Sequence, residues 1–162
     1  MYTLMQTNYQ FHIPTETDRG WLTETMTTGL FTPDNAIEYG IWDGTSTSVT
    51  YPLRFSRIIS RVSDNQRIAW ALSKIVEGTT CMHAFAIHPD FRGQRLARGI
   101  VEESAHWFFS TNCPLNIENI TTITDNSLVP SNLSPSHYTV VETSGDITMT
   151  SVTKEVDEAA RS

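Results

Sequence analysis

The chain has 162 residues, 39% hydrophobic and 18% charged, which suits one folded domain with a sizeable core and excludes a disordered polymer. Eleven Lys and Arg against eighteen Asp and Glu leave a formal net charge of -7, which argues against broad affinity for a nucleic-acid backbone. Two cysteines, Cys81 and Cys113, cannot make a disulfide framework; no apolar run approaches the roughly 20 residues of a bilayer span, and MYTLMQTNYQ has no signal-peptide pattern.

Residues 2–13 are apolar and β-prone, and Pro14 ends them. Trp21, Leu22 and Met26 give 16–28 a weak helical spacing that Gly29 stops. Residues 33–39 form a second short helix, since Pro33 is tolerated in a first turn. Leu53, Phe55, Ile58 and Val62 mark a strand whose phase slips near Ile58-Ile59. Arg54, Arg57 and Arg61 alternate with these residues and read as its solvated face. After Asp64-Asn65, residues 67–76 form another strand, Glu77-Gly78 turns the chain, and 79–88 form a third. The near-continuous Ala84, Phe85, Ala86 and Ile87 suggest a central strand covered on both faces.

From about Gln94 to Phe109 the period becomes helical, with Leu96, Ile100, Val101, Ala105 and Phe108 on one side. Ile117 to Thr124 is a further strand. Pro130 and Pro135 make 125–136 a loop or broken helix. Residues 138–142 and 147–153 read as a hairpin around Ser144-Gly145-Asp146. Residues 1–153 are thus one domain and 154–162 a charged tail, either a short helix or frayed. The fold class is mixed α/β (α+β), with a mostly antiparallel sheet flanked by helices.

The informative segment runs Ile87-His88-Pro89-Asp90-Phe91-Arg92-Gly93-Gln94-Arg95-Leu96-Ala97-Arg98. A buried strand ends, a tight loop follows and an amphipathic helix begins. Unpaired amides and the positive end of the helix dipole favour a phosphate there. Gly93 permits close approach of a ligand, and Arg92, Arg95 and Arg98 concentrate positive charge in an acidic chain. The five histidines never reach metal-site spacing, so no metal is expected. No G-x-S-x-G and no P-loop is present.

This segment resembles the main motif of the GNAT superfamily, the GCN-related N-acyltransferases. Its form is Q/R-x-x-G-x-G/A after the fourth strand. Arg92, Gly93 and Ala97 fit, with Ile87 and Pro89 upstream; Arg95 stands where the family usually has glycine. The resemblance implies an acyl-coenzyme A cofactor, acetyl-CoA or another, with its pyrophosphate on the amides of Gly93, Gln94, Arg95, Leu96, Ala97 and Arg98. Its pantetheine arm would lie along Ala86 and Ile87. Asn126 is the counterpart of the family's asparagine after the fifth strand. The tyrosine that protonates the leaving thiolate would fall near Leu133, where this chain has none. The base candidates are His83 in the strand, then His88 at its end, then Glu77.

Two functions follow from the resemblance. One is an N-acyltransferase acting on a small amine or peptide in the cytoplasm. The other is an inactive GNAT-like structural or interaction protein within a larger assembly, in the manner of the virion-associated GNAT-like proteins of tailed bacteriophages; Arg95 and the missing tyrosine motivate it. Neither involves a membrane or broad nucleic-acid binding.

Overall fold

The computed structural model describes residues 8–29, 31–45, 47–92, 96–125, 137–144 and 147–161. Strand β1 (Tyr9–His12) is followed by helices α1 (Glu16–Thr27) and α2 (Pro33–Glu38), and then by strands β2 (Arg57–Arg61), β3 (Arg67–Val76) and β4 (Thr80–Ile87). Helix α3 (Leu96–Phe109), strands β5 (Asn119–Asp125), β6 (Thr139–Ser144) and β7 (Ile147–Thr153), and helix α4 (Lys154–Arg161) follow among the described residues. None of the described helices is long and apolar enough to cross a membrane.

The start of α1 is fixed locally. The Asp18 carboxylate accepts from the Thr15 amide at 2.9 Å, which satisfies a donor the helix cannot. The same carboxylate takes Arg67 Nη2 at 2.6 Å and Nε at 3.1 Å, which ties α1 to β3. Burial works against the Asp18 charge, but the Thr15 amide and the Arg67 guanidinium together hold the carboxyl below its usual range. In α2, Pro33 sits in the first turn and the Thr32 hydroxyl accepts from the Asn35 amide.

The expected strand beginning at Leu53 starts later. Leu53–Phe55 is a single 3-10 turn, because the Ser56 hydroxyl donates to Pro52 O at 2.8 Å and accepts from the Ser73 amide at 3.0 Å. Val62 lies beyond the strand, in a turn. The phase slip is real: a bulge between Ile59 and Ser60 leaves Ile58, Ile59 and Ser60 all buried. The three arginines are not simply solvated. Their guanidinium carbons lie over rings, Arg54 4.6 Å from Phe55, Arg57 4.5 Å from Trp107 and Arg61 5.2 Å from Phe91.

The seven strands form one sheet in the order β1-β2-β3-β4-β5-β7-β6. Every neighbouring pair is antiparallel except β4 and β5. A parallel pair needs a crossover, and α3 supplies it. The β3–β4 hairpin closes through Glu77 and Gly78, both at positive φ (56° and 80°). The sheet buries both faces. Ala69, Ala71, Cys81, Phe85 and Ile87 meet Ile100, Val101, Ala105 and Phe108 of α3. On the opposite face Trp70, Leu72, Ala84 and Ala86 meet Leu22 and Met26 of α1 together with Phe31 and Trp42. Cys81 and Cys113 are free and buried, and burial pushes the Cys81 thiol up to about 12.

The charged C-terminal segment is helical, and Asp157 anchors it. This carboxylate is 1% exposed and meets His137 Nε2 at 2.8 Å and Arg161 Nε at 2.6 Å. Arg161 Nη2 reaches on to Glu102 O of α3 at 3.1 Å. Asp157→Ala is expected to lower stability by about 2 kcal/mol. Breaking a fully buried pair costs about 3–5 kcal/mol, but the Arg161 and His137 side chains keep 22% and 23% exposure and can rehydrate. Denaturant unfolding reads the loss, and hydrogen exchange locates it. If the α4 amides keep wild-type protection, Asp157 is not the anchor.

Candidate functional site

Strands β4 and β5 run in register from Thr80 opposite Asn119 to Ala84 opposite Ile123. Beyond that point β5 continues beside β7, with Thr124 opposite Thr148 and Asp125 opposite Ile147, while Phe85, Ala86 and Ile87 pair, among the described residues, with β3 alone. The two central strands therefore part, and the sheet opens at the C-terminal end of β4. The His88 amide donates to Ile68 O at 2.8 Å across β3. Strand alternation then turns the backbone groups of Ile87 toward the opening and those of Ala86 toward β3. Arg92 Nε donates to Ile87 O at 3.1 Å, and the Ile87 N–H faces the gap.

The chain crosses from this opening to α3 through a 3-10 turn, Pro89–Phe91, capped by His88, whose Nδ1 accepts from the Asp90 amide at 3.2 Å. Phe91 is buried and pins the turn to the core. The side chains of Leu96 and Ala97 also face the core, at 6% and 1% exposure, so what these positions can offer an anion is backbone amide at the helix start. Arg98 is exposed, and its Nε donates to Glu102 Oε1 at 2.8 Å, one turn along α3. Gly93, Gln94, Arg95 and Asn126, like the Leu133 position, lie outside the described residues.

The base candidates separate. His83 sits between Ser73 of β3 and Thr122 of β5 on the α3 face. It is 1% exposed, its Nε2 meets no hydrogen-bond partner, and burial lowers its pKa to about 4. An imidazole so placed is neutral near pH 7 and a weak base. His88 is at the opening, but its Nδ1 lone pair is engaged by the Asp90 amide. Glu77 is at the other end of β4, roughly 23 Å along the strand at about 3.3 Å per residue. Tyr138, just ahead of β6, is buried on the α3 face, and its hydroxyl has no hydrogen-bond partner. Among the described residues, no group of three or more His, Cys, Asp or Glu could hold a metal.

Sequence reasoning placed the loop but missed the acidic corner on the α1/α2 face. Tyr39, which caps α2, has its phenol pKa raised by burial, then by Glu142 of β6 and Glu38. Charges from distant parts of the sequence act on one phenol there, and no local pattern announces it.

The model of the acetyltransferase (GNAT) family matches residues 26–128. No curated protein sequence matches the chain. Among solved structures, spermidine N-acetyltransferase from Vibrio cholerae in complex with CoA and spermine superposes with a TM-score of 0.57 at 10% identity, over 94% of this chain and 99% of that one. The yncA protein of Salmonella typhimurium, solved with its cofactor acetyl-CoA, gives 0.59 at 14% identity, over 91% and 94%. A GNAT-family acetyltransferase from Bacillus anthracis gives 0.53 at 10% identity, over 91% and 96%. At these identities the likeness is one of fold.

Proposed function

Because the chain belongs to the acetyltransferase (GNAT) family, we propose that it transfers an acyl group from an acyl-coenzyme A, acetyl-CoA in the first instance, to a small amine or peptide amine. The observation that carries this reading is the parting of β4 from β5 beside the loop that leads into α3. In this reading the pantetheine arm lies along the open edge of β4 at Ala86 and Ile87, and the pyrophosphate is assigned to the amides of 93–98 because the family motif implies it. The Ile87 N–H then lies where the thioester oxygen gains charge. The amine nitrogen attacks the thioester carbon; the C–N bond forms, the C–S bond breaks, and coenzyme A leaves as thiolate. The proton given up by the amine goes to solvent in this reading, because His83 is buried and the Nδ1 of His88 is engaged. Thiolate is a good leaving group, so the reaction proceeds without the family's tyrosine.

The net charge of -7 and the corner of Glu38 and Glu142 around Tyr39 favour an acceptor that carries positive charge. The similar protein from Vibrio cholerae is named for a polyamine substrate, which agrees with that class. A second reading retains the fold without the chemistry, as an interaction protein or a virion component, and Arg95 in the usual glycine position favours it.

Calorimetric titration with acetyl-CoA tests the reading, using wild type and Arg95→Gly side by side. In an active site Arg95 contacts a coenzyme phosphate. Its loss weakens binding by about 2 kcal/mol, the scale of a hydrogen bond to a charged group. Stronger binding by the variant, or none by wild type at millimolar acetyl-CoA, supports the inactive reading instead.

A further inference from the structure

On the α3 face, β3 presents two small residues in succession, Ala71 and Ser73. Both are buried, and beside them a cleft of about 270 Å³ remains between the sheet and the helix. Its walls are Phe11 and Phe55 on one side and Trp107 and Phe108 of α3 on the other, with Arg57, Glu103 and Ser104 supplying polar groups. None of these residues belongs to the parting of β4 and β5 or to the 88–98 loop. The opening lies at the N-terminal end of α3, and this cleft lies beside its C-terminal half.

Two polar groups in the cleft are underused. The Arg57 guanidinium stacks over Trp107 at 4.5 Å. Its Nη1 donates to Ser56 O at 2.7 Å and lies 3.5 Å from Arg54 O, while Nε and Nη2 donate to none of the described residues. Burial lowers its pKa, the expected result of holding a cation away from water without a full set of partners. Ser104 is 8% exposed, and its Oγ has no hydrogen-bond partner. A helical serine can back-bond to the carbonyl four residues earlier; this one does not. Buried polar atoms without partners are rare and mark sites that a ligand or water completes.

We propose that this cleft binds a small aromatic amino acid or a close zwitterionic analogue. The ring lies between Phe55 and Trp107, where offset or edge contacts with aromatic walls are favourable. The carboxylate accepts from Arg57 Nε and Nη2 in the paired geometry that guanidinium presents, and Ser104 Oγ adds a third donor. Glu103 lines the same cleft, so a bare anion meets repulsion there, whereas a ligand with an ammonium beside its carboxylate meets both charges. The volume lies just below the about 300–1,000 Å³ usual for small-molecule sites, so the ligand must be small.

The probe is L-phenylalanine, followed by Trp fluorescence and by calorimetry on the full chain. Saturable binding is expected, weakened more than about tenfold by Arg57→Gln and unaffected by saturating acetyl-CoA. Ala71→Leu, which fills the floor and leaves Arg57 in place, abolishes it. Thermal unfolding checks that both variants are folded. Should Arg57→Gln fail to fold, Ala71→Leu alone decides. Absence of saturable binding, equal binding by a folded variant, or displacement by acetyl-CoA overturns the proposal. Tighter binding of 3-phenylpropionate than of phenylalanine overturns the zwitterion assignment.

Discussion

Trp70→Ala is expected to lower folding stability by about 4 kcal/mol, within the about 3–5 kcal/mol measured for truncating buried large aromatics. Trp70 is fully buried in the middle of β3. It packs beneath α1 and α2 with its ring 6.0 Å from that of Phe31. Its Nε1 has no hydrogen-bond partner, so truncation breaks no polar contact and the loss is packing and cavity alone. β3 is held on both edges by β2 and β4, which prevents the backbone from collapsing into the void. A domain of ordinary stability, about 5–15 kcal/mol, loses a large share of it. Urea unfolding measures the change. Trp70→Phe should recover most of it, because the ring is retained and the unpaired N–H is removed. A loss below about 2 kcal/mol for the alanine variant would mean that the helices reseat over the gap.

Acidification should destabilise the protein by on the order of 3 kcal/mol through His83 alone. The folded-state pKa of about 4 is set by burial and lies below the ordinary 6.5. Between these values the unfolded chain binds a proton at this site and the folded chain does not. Stability is therefore fully present above about pH 6.5, falls as pH drops toward 4, and levels off below. His83→Gln, which keeps a polar side chain but does not titrate, should flatten the unfolding free energy across that window. The readout is the difference in pH slope between the two proteins, so a uniform loss of stability in the variant does not matter. An unchanged slope would show that His83 reaches water or a proton acceptor in the folded state.

The parts of the fold legible in the sequence were those whose signals are local. Residues 67–76 are bounded by Asn65 and by Glu77-Gly78, all three at positive φ, and the apolar run between them defines the strand. The stripe Leu96, Ile100, Val101, Ala105 and Phe108 fixes which side of α3 is buried. The 3-10 turn at 53–55 escaped because its cause is one hydroxyl, Ser56, reaching both Pro52 and Ser73. The opening beside Ile87 follows from where the β4–β5 register stops, which no residue pattern states. The cleft under α3 arises because Ala71 and Ser73 face Ser104 and Trp107, residues some thirty positions away that a linear reading treats separately. Arg57 illustrates the same gap: its alternation with apolar neighbours predicts solvent, and a ring contributed by another element covers it.

The single parallel pairing has a mechanical consequence. Strands β1 to β4 are neighbours in chain order and make one antiparallel block; β5, β7 and β6 make a second. Among the described residues, the five register pairs from Thr80–Asn119 to Ala84–Ile123 stitch the blocks across the sheet, and their partners lie 39 residues apart in the chain. The β2-β3-β4 meander and the β6–β7 hairpin can form from short-range contacts, whereas the seam must wait until α3 has closed the intervening loop. Amides along the seam should accordingly exchange through a partial opening that leaves each block folded, at a free energy below that of global unfolding. A molecule wedged where the seam ends would touch both blocks at once. Its binding energy would add directly to the work of unzipping them, so occupancy would be legible as slowed exchange reaching back along the seam as far as Ile120.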